Sequence, residues 1–379
     1  MIYADNAATT RISNSVLEKM LPFFTEQYGN ASSLHSLGKA AKHAINLARD
    51  QIARAIGAKG DEISFGPSGS EINSFIFNSI AAKYADESIH MVTSAIEHPS
   101  VMDTCRALEA RGVQVTYLPV DIKGAVKAGD VSAAIRPNTK FVSIMYANNE
   151  IGTIQPIGEI GLLLKNKGIP FHTDAVQAVG HIPIKVKTLN VDCLTASAHK
   201  FHGAKGTGIL YKRSGLELPP HGAGNPDTHN IRPGTPNVAG MVAAGHALGE
   251  SMADMPEMAT RLHAISDATV RGVQARIPSA RVNGDMGNRL PGIVNLAFDG
   301  VLGESLMHLL DLKGICVSTG SACTAGGDNA SHVLLALGQS EKQAKSAIRI
   351  SYGRHNTMEE AEAVVSAICA SYAKIMGSR

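Results

Sequence analysis

At 379 residues the chain is too long for one ordinary core and short for three, so one large and one smaller domain are expected. Its 44% hydrophobic and 18% charged residues are those of a soluble globular protein, and no apolar run reaches the roughly 18 residues of a membrane helix. A net charge of +2, with Lys and Arg dispersed along the chain, excludes an electrostatic footprint for nucleic acid or an anionic membrane.

The opening MIYADNAATT has no basic region followed by an apolar block, so no secretory signal is read and the cytoplasm is the expected compartment. From about residue 60 to 215, short β-branched runs alternate with helix-like segments, the signature of βαβ units and a mostly parallel α/β sheet. The expected strands are EISF (62–65), HMVTSA (90–95), VQVTYL (113–118), FVSIMYA (141–147), IPFHTDA (169–175), VDCLTAS (191–197) and TGILYK (207–212). The stretch 216–237 carries Pro and Gly too densely for an element interior and reads as loop. A capped helix is expected near Asp254 and Pro256, because Met258, Leu262, Ile265, Val270, Val273 and Ile277 recur at near-helical spacing. Beyond it, the strand-like GIVNLAF, ICVS and AIRISY alternate with helices from about Glu304, Ser331 and Thr357, as in a small α+β domain. The expected division is a large domain over 15–252 and a small one made of 1–14 and 253–379.

Five cysteines (Cys105, Cys193, Cys316, Cys323, Cys369) are an odd, scattered set in a long chain, so no disulfide framework is expected. None has C-x-x-C spacing, and His199 and His202 lack an evident third ligand, so no metal site is expected. Cys105, Cys193 and Cys369 sit in helix or strand patterns and read as core residues. Cys323 differs: it lies in GICVSTGSACTAGG, a Gly/Ser/Thr run too poor in bulky side chains to be a core segment.

In open parallel sheets ligands sit beyond the carboxyl ends of strands. After EISF comes GPSGSE, a Gly/Ser turn opening a helix, where free N–H groups and the Ser68 and Ser70 hydroxyls make either an anion cradle or a plain N-cap. Other strand ends lead to Glu97 and His98, to Asn148, Asn149 and Glu150, to Asp174 and Gln177, and to Ser197, His199 and Lys200. Taken singly, these are ordinary caps, turns and solvated charges. Together, a phosphate cradle, an acid, an aromatic His and a Lys on one sheet are what a pyridoxal phosphate site requires. An acid 4 Å from a cationic ring nitrogen, at an effective dielectric of about 20, is worth about 4 kcal/mol, enough to hold that nitrogen protonated. No G-x-G-x-x-G opens a helix after a strand and no P-loop occurs, which disfavours nicotinamide and nucleoside triphosphate readings.

The segments YADNAATT, SAIEHPSV, ANNEIGTIQPI, TDAVQAVGH, SAHKFHGAKGTGILY, STGSACTAG and IRISYGRHNT, in order from about residue 2 to 360, resemble the cysteine desulfurases of the NifS/IscS type. The resemblance implies a fold-type-I pyridoxal 5'-phosphate-dependent transferase. It implies a homodimer that takes sulfur from L-cysteine, leaves L-alanine, and passes the sulfur from a persulfide to an acceptor or scaffold protein, as in iron–sulfur cluster assembly or tRNA thiolation. Residue by residue, it implies Lys200 as the Schiff-base lysine, Asp174 as partner of the pyridinium nitrogen, and Gln177 as donor to the ring oxygen. His98 would stack on the ring and handle protons. Gly69, Ser70, Ser197 and His199 resemble the phosphate-binding set, joined by Thr235 from the other subunit. Asn149 and Arg349 resemble the pair holding the substrate carboxylate, which the planar guanidinium fork suits. Cys323 resembles the persulfide-forming cysteine, a thiol that must reach the cofactor and then carry sulfur outward from an exposed, mobile loop.

Two segments depart from the family's usual pattern. GPSGSE replaces a Thr-Ser-Gly-Ala-Thr-Glu run, with Ser70 retaining a hydroxyl, and HGAGNPDTHNIRPGT replaces a shorter Gly-rich segment with a second Arg, leaving only Arg232. Rival readings on the same scaffold are a selenocysteine lyase, an ordinary aminotransferase, and a non-catalytic sulfur-carrier or scaffold subunit.

Overall fold

The β-branched runs between residues 60 and 215 assemble into one seven-stranded sheet. The computed structural model describes residues 1–219, 231, 234–320 and 330–377. In chain order it begins with β1 (Ile2–Tyr3), α1 (Asn14–Met20), α2 (Pro22–Thr25) and α3 (Ser36–Ile56). Alternation follows: β2 (Ile63–Gly66), α4 (Gly69–Lys83), β3 (His90–Ser94), α5 (Pro99–Glu109), β4 (Gln114–Leu118), α6 (Ala128–Ala134), β5 (Thr139–Ser143), α7 (Ile157–Lys167), β6 (Phe171–Asp174), α8 (Val186–Leu189), β7 (Cys193–Ser197) and β8 (Gly208–Lys212). The remainder is α9 (Val238–Arg276), β9 (Arg281–Asn283), β10 (Ile293–Ala297), α10 (Gly303–Asp311), β11 (Ile315–Cys316), α11 (His332–Ala336), α12 (Glu341–Ala344), β12 (Ala347–Ser351) and α13 (Met358–Gly377).

The large sheet runs β2-β8-β7-β6-β5-β3-β4, parallel except for β8, which is antiparallel to both its neighbours. β3, β6 and β7 are buried at every position, as expected of central strands covered on both faces. The ladder of β5 ends at Ser143, four residues before the apolar run does. The amides of Ile144 and Tyr146 still bond the carbonyls of His172 and Asp174 at 3.1 and 2.8 Å. A continuous apolar run does not mark where pairing stops, so this limit was not visible in sequence.

A longer difference concerns α9. Its expected start near Asp254 is wrong: the helix begins at Val238, capped by Asn237, whose side-chain oxygen accepts the Gly240 amide at 3.0 Å, and it runs unbroken past Pro256 to Arg276. Its first half is made of small residues packed on α3; a Cβ on Gly245 would meet Ala48 Cα at 2.9 Å. Helices that approach this closely need no bulky apolar stripe, so the periodic signal starts late. Pro256 forfeits one intrahelical bond, and packing on both sides of it keeps the helix whole.

Two main apolar clusters meet along α9. Ala243, Ala247 and Leu248 pack with the large sheet's strands and α3, while Leu262, Ile265 and Val273 pack with Val294, Ile350 and Val364 of β10, β12 and α13. The second cluster backs a small antiparallel sheet, β12-β10-β9. β1 pairs with β11 and Asp5 bridges to Ser351, so the first residues lie on this smaller layer before the chain crosses to the large sheet. Among the described cysteines all four are free; Cys105 and Cys193 are buried, whereas Cys369 is half-buried at the edge of the second cluster. No described helix is long and apolar enough to cross a membrane, and the described residues contain no cluster of three potential metal ligands.

Candidate active site

Each parallel strand releases its chain at the same edge of the sheet, and that edge collects the polar residues. β6 ends on Asp174, 5% exposed, whose Oδ1 accepts the Val176 amide at 3.0 Å and whose Oδ2 accepts Asn73 Nδ2 at 2.7 Å. β7 ends on buried Ser197, and the 3-10 turn Ala198–Lys200 returns the lysine over the strand ends. There Lys200 Nζ donates to the carbonyls of Ala7 and Ala8 at 2.6 and 2.8 Å. Gln177 Nε2 donates to the same Ala7 carbonyl at 2.9 Å.

The start of α4 is built for close approach. Ser68 caps it, accepting the Glu71 amide at 3.2 Å, and a Cβ on Gly69 would lie 2.8 Å from Val176 Cγ2. Free amides at the head of a 15-residue helix, beside the exposed Ser70, make an anion cradle. The cap and cradle readings of this turn are therefore compatible. His98 likewise has two parts: it caps α5, its Nδ1 accepting the Ser100 amide at 3.1 Å, and it lines the cavity. An accepting Nδ1 leaves the ring proton on Nε2, and burial holds His98 below the ordinary imidazole range. Burial, aided by Lys200 and Lys205, lowers His199 to about 4, so its ring is neutral; its Nδ1 bonds the Thr9 hydroxyl at 3.0 Å.

Arg349 reaches the same cavity from β12. It is 1% exposed, with Nη1 donating to the Asn149 carbonyl at 3.0 Å and Nη2 to Asp5 at 2.7 Å, while its buried Nε has no partner among the described residues. The cavity, about 140 Å³, thus brings together Gly69, Ser70, His98, Asn149, Asp174, Gln177, Ser197, His199, Lys200 and Arg349. Thr235 is not among them; it is exposed beside Phe24 and Tyr28, lining a separate hollow. Cys323 and Arg232 lie outside the described residues. A larger hollow of about 430 Å³ opens at the opposite ends of β6 and β7, but its Asp192 and Arg213 are paired with each other at 2.5 Å and it holds no comparable set.

Sequence reasoning missed Asp5, Ala7, Ala8, Asn73 and Ser100. YADNAATT was visible as a motif, but nothing local shows that its carbonyls would face Lys200. Asn73 lies inside a helix whose other buried positions are mostly apolar, and only the fold turns it towards Asp174.

The residues present fit pyridoxal phosphate. The glycine-lined helix start would hold the phosphate, the Asp174 carboxylate would face a cationic ring nitrogen, Lys200 would supply the amine, and the Arg349 Nε, unpartnered among the described residues, would meet an anion. Fold and site together define a pyridoxal-phosphate enzyme with a large parallel-sheet layer. The aminotransferase class-V family model matches residues 2–364. The chain is 45% identical over 371 residues to the cysteine desulfurase IscS of Clostridium botulinum, spanning 97% of this chain and 93% of the relative. A solved NifS-like protein superposes with a TM-score of 0.91 at 36% identity, covering 97% of this chain and 98% of that one. A structure described as SspA in complex with cysteine superposes at 0.81 with 35% identity, over 94% of this chain and 100% of that one. The chain belongs to the cysteine desulfurases of the class-V aminotransferase family.

Proposed function

We propose that the chain converts L-cysteine to L-alanine and passes the sulfur to Cys323. When bound, the cofactor supplies an aldehyde that condenses with amines and a ring that holds the electrons released at the substrate Cα. The chain's own groups do the rest. Arg349, with Asn149, binds the substrate carboxylate, and Asp5 keeps the guanidinium in place. Lys200 Nζ takes the Cα proton. Gly69, Ser70, Ser197 and His199 hold the phosphate, with Thr235 contributed by a second copy of the chain; Gln177 donates to the ring oxygen. His98, protonated at Nε2, stacks on the ring and handles protons near the substrate sulfur. The Cys323 thiolate attacks that sulfur: the substrate C–S bond breaks, an S–S bond forms, and cysteine plus thiol become alanine plus persulfide.

One observation carries this reading: Lys200, Asp174, His98 and Arg349 line a single cavity although they come from four separate parts of the chain. The domains follow as 15–252 for the cofactor and 1–14 with 253–379 for Cys323, supported by the two apolar clusters. Exposed Phe24 and Tyr28, which share a hollow with Thr235, support a homodimer through that face. A reaction that runs on a free thiol needs a reducing compartment, here the cytoplasm. The persulfide then serves an acceptor or scaffold protein, with iron–sulfur assembly and tRNA thiolation as destinations.

The test is an absorbance spectrum with a cysteine titration. Wild type should show the cofactor's visible band and release alanine and sulfide in equal amounts under a thiol reductant. Cys323→Ala should keep the band and release no sulfide, and Lys200→Ala should lose the band of the lysine-bound cofactor. Full sulfide release by Cys323→Ala, or a preference for selenocysteine that survives this change, defeats the assignment.

A further inference from the structure

We infer that Asn73 is a positioning residue that holds Asp174 and His98 in one arrangement through the Ser100 hydroxyl; this rests on the cofactor-binding reading above. Both hydrogens of the Asn73 carboxamide nitrogen are committed, one to Asp174 Oδ2 at 2.7 Å and the other to Ser100 Oγ at 3.0 Å. With a lone pair so occupied, the Ser100 hydroxyl turns its own hydrogen to His98 Nδ1, 2.8 Å away, sharing that nitrogen's lone pair with the Ser100 amide. The bridge therefore joins the acid expected at the ring nitrogen to the imidazole expected on the ring face, and all four residues line the cavity.

The amide cannot be reversed. A carbonyl oxygen in place of Nδ2 would stand 2.7 Å from a carboxylate oxygen, lone pair against lone pair. Asn73 is 1% exposed and its Oδ1 has no partner among the described residues, so the residue accepts one unsatisfied buried atom in order to aim its nitrogen at Asp174. Leucine or alanine would pack such a position without that cost. The two-sided donation is what an asparagine supplies there and an apolar residue does not.

The experiment measures pyridoxal phosphate affinity by equilibrium dialysis of the apoprotein, between pH 5.5 and 8.5, for wild type, Asn73→Ala and Asn73→Asp. The titratable groups near the bridge are Asp174, Lys200 and His98, with Glu97, Asp103 and His332 acting on them from neighbouring segments. Asn73→Ala should weaken binding about tenfold relative to wild type at every pH. Asn73→Asp should be nearer wild type at the acid end, where a protonated carboxyl still donates to Asp174. Its defect should deepen at least fivefold towards pH 8.5, as two carboxylates come to face each other. A purely structural part for Asn73 gives no such pH-dependent divergence. Wild-type affinity in Asn73→Ala, or parallel curves for the two variants, overturns the inference. If neither variant folds by circular dichroism, Ser100→Ala decides. It leaves Asp174 bonded, so affinity should persist while the pH optimum of turnover moves, and an unmoved optimum overturns the inference. Absence of stoichiometric cofactor in wild type would instead defeat the underlying functional reading.

Discussion

Arg349 Nη2 donates to Asp5 Oδ1 across 2.7 Å although 344 residues separate them. The guanidinium is 1% exposed and the carboxylate 18%, so this pair ties the first residues of the chain to β12 at the edge of the cavity. Removing one member of a buried pair leaves the other without compensation, typically at about 3–5 kcal/mol. Asp5→Ala should therefore lower stability by roughly 3 kcal/mol in chemical denaturation. Arg349→Lys cannot serve Asp5, Asn149 and a carboxylate at once, and should raise KM for cysteine about tenfold with a smaller change in kcat.

Gly69 lets α4 approach the loop after β6. The Cβ of Gly69→Ala would stand 2.8 Å from Val176 Cγ2, forcing the helix start away from the sheet edge. Cofactor affinity should fall about tenfold, equivalent to about 1.4 kcal/mol. Gly69→Ala combined with Val176→Ala should recover most of it in the same dialysis measurement, because the clash is with that methyl.

Glu97, the residue before His98, has no exposed surface; its Oε1 accepts the Ser94 hydroxyl at 2.6 Å and the Met145 amide at 2.9 Å. Burial, with some help from Asp174, raises its carboxyl from 4.5 to about 8 against the opposing hydrogen bonds. Between those values the folded chain keeps the proton and the unfolded chain gives it up, so stability falls as pH rises through the window and levels off above about 8. Glu97→Gln removes this slope. Thermal melts should show the variant and wild type close at pH 4, and the variant a few degrees higher at pH 9.

His172 gives the opposite slope. It is fully buried, stacked on Phe141 at 6.3 Å between ring centroids and bonded to Ser143 and Thr195 at 2.8 and 3.0 Å, and burial lowers it from 6.5 to about 3. Below pH 6.5 the unfolded chain takes up a proton that the folded chain refuses, so stability is lost as pH falls towards 3. His172→Gln should lower stability at pH 7 by roughly 1–3 kcal/mol, through lost packing, and make the decline between pH 6.5 and 4 shallower in urea titrations.

Much of the large sheet was legible because its signals are short-range. β-branched runs bounded by turns marked every strand of the seven-stranded sheet, and the rule that ligands lie beyond parallel strand ends pointed to His98, Asp174 and Lys200. What failed was also local in cause. The first half of α9 packs largely through alanine and glycine, which carry no periodic contrast, and the regular ladder of β5 ends inside a run that stays apolar.

The sequence by itself determined which chemistry was available: a helix start open to an anion, an acid, an imidazole and a lysine on successive strand ends, and a cysteine in a glycine-rich run. Only the tertiary structure decided how these groups are held. Ala7 and Ala8 receive Lys200, Asp5 receives Arg349, and Asp174 receives Asn73 across 101 residues of chain. Such pairings are set by where packed layers bring distant backbone together, and a hydrogen bond between residues so far apart leaves no trace in the local spacing of either one.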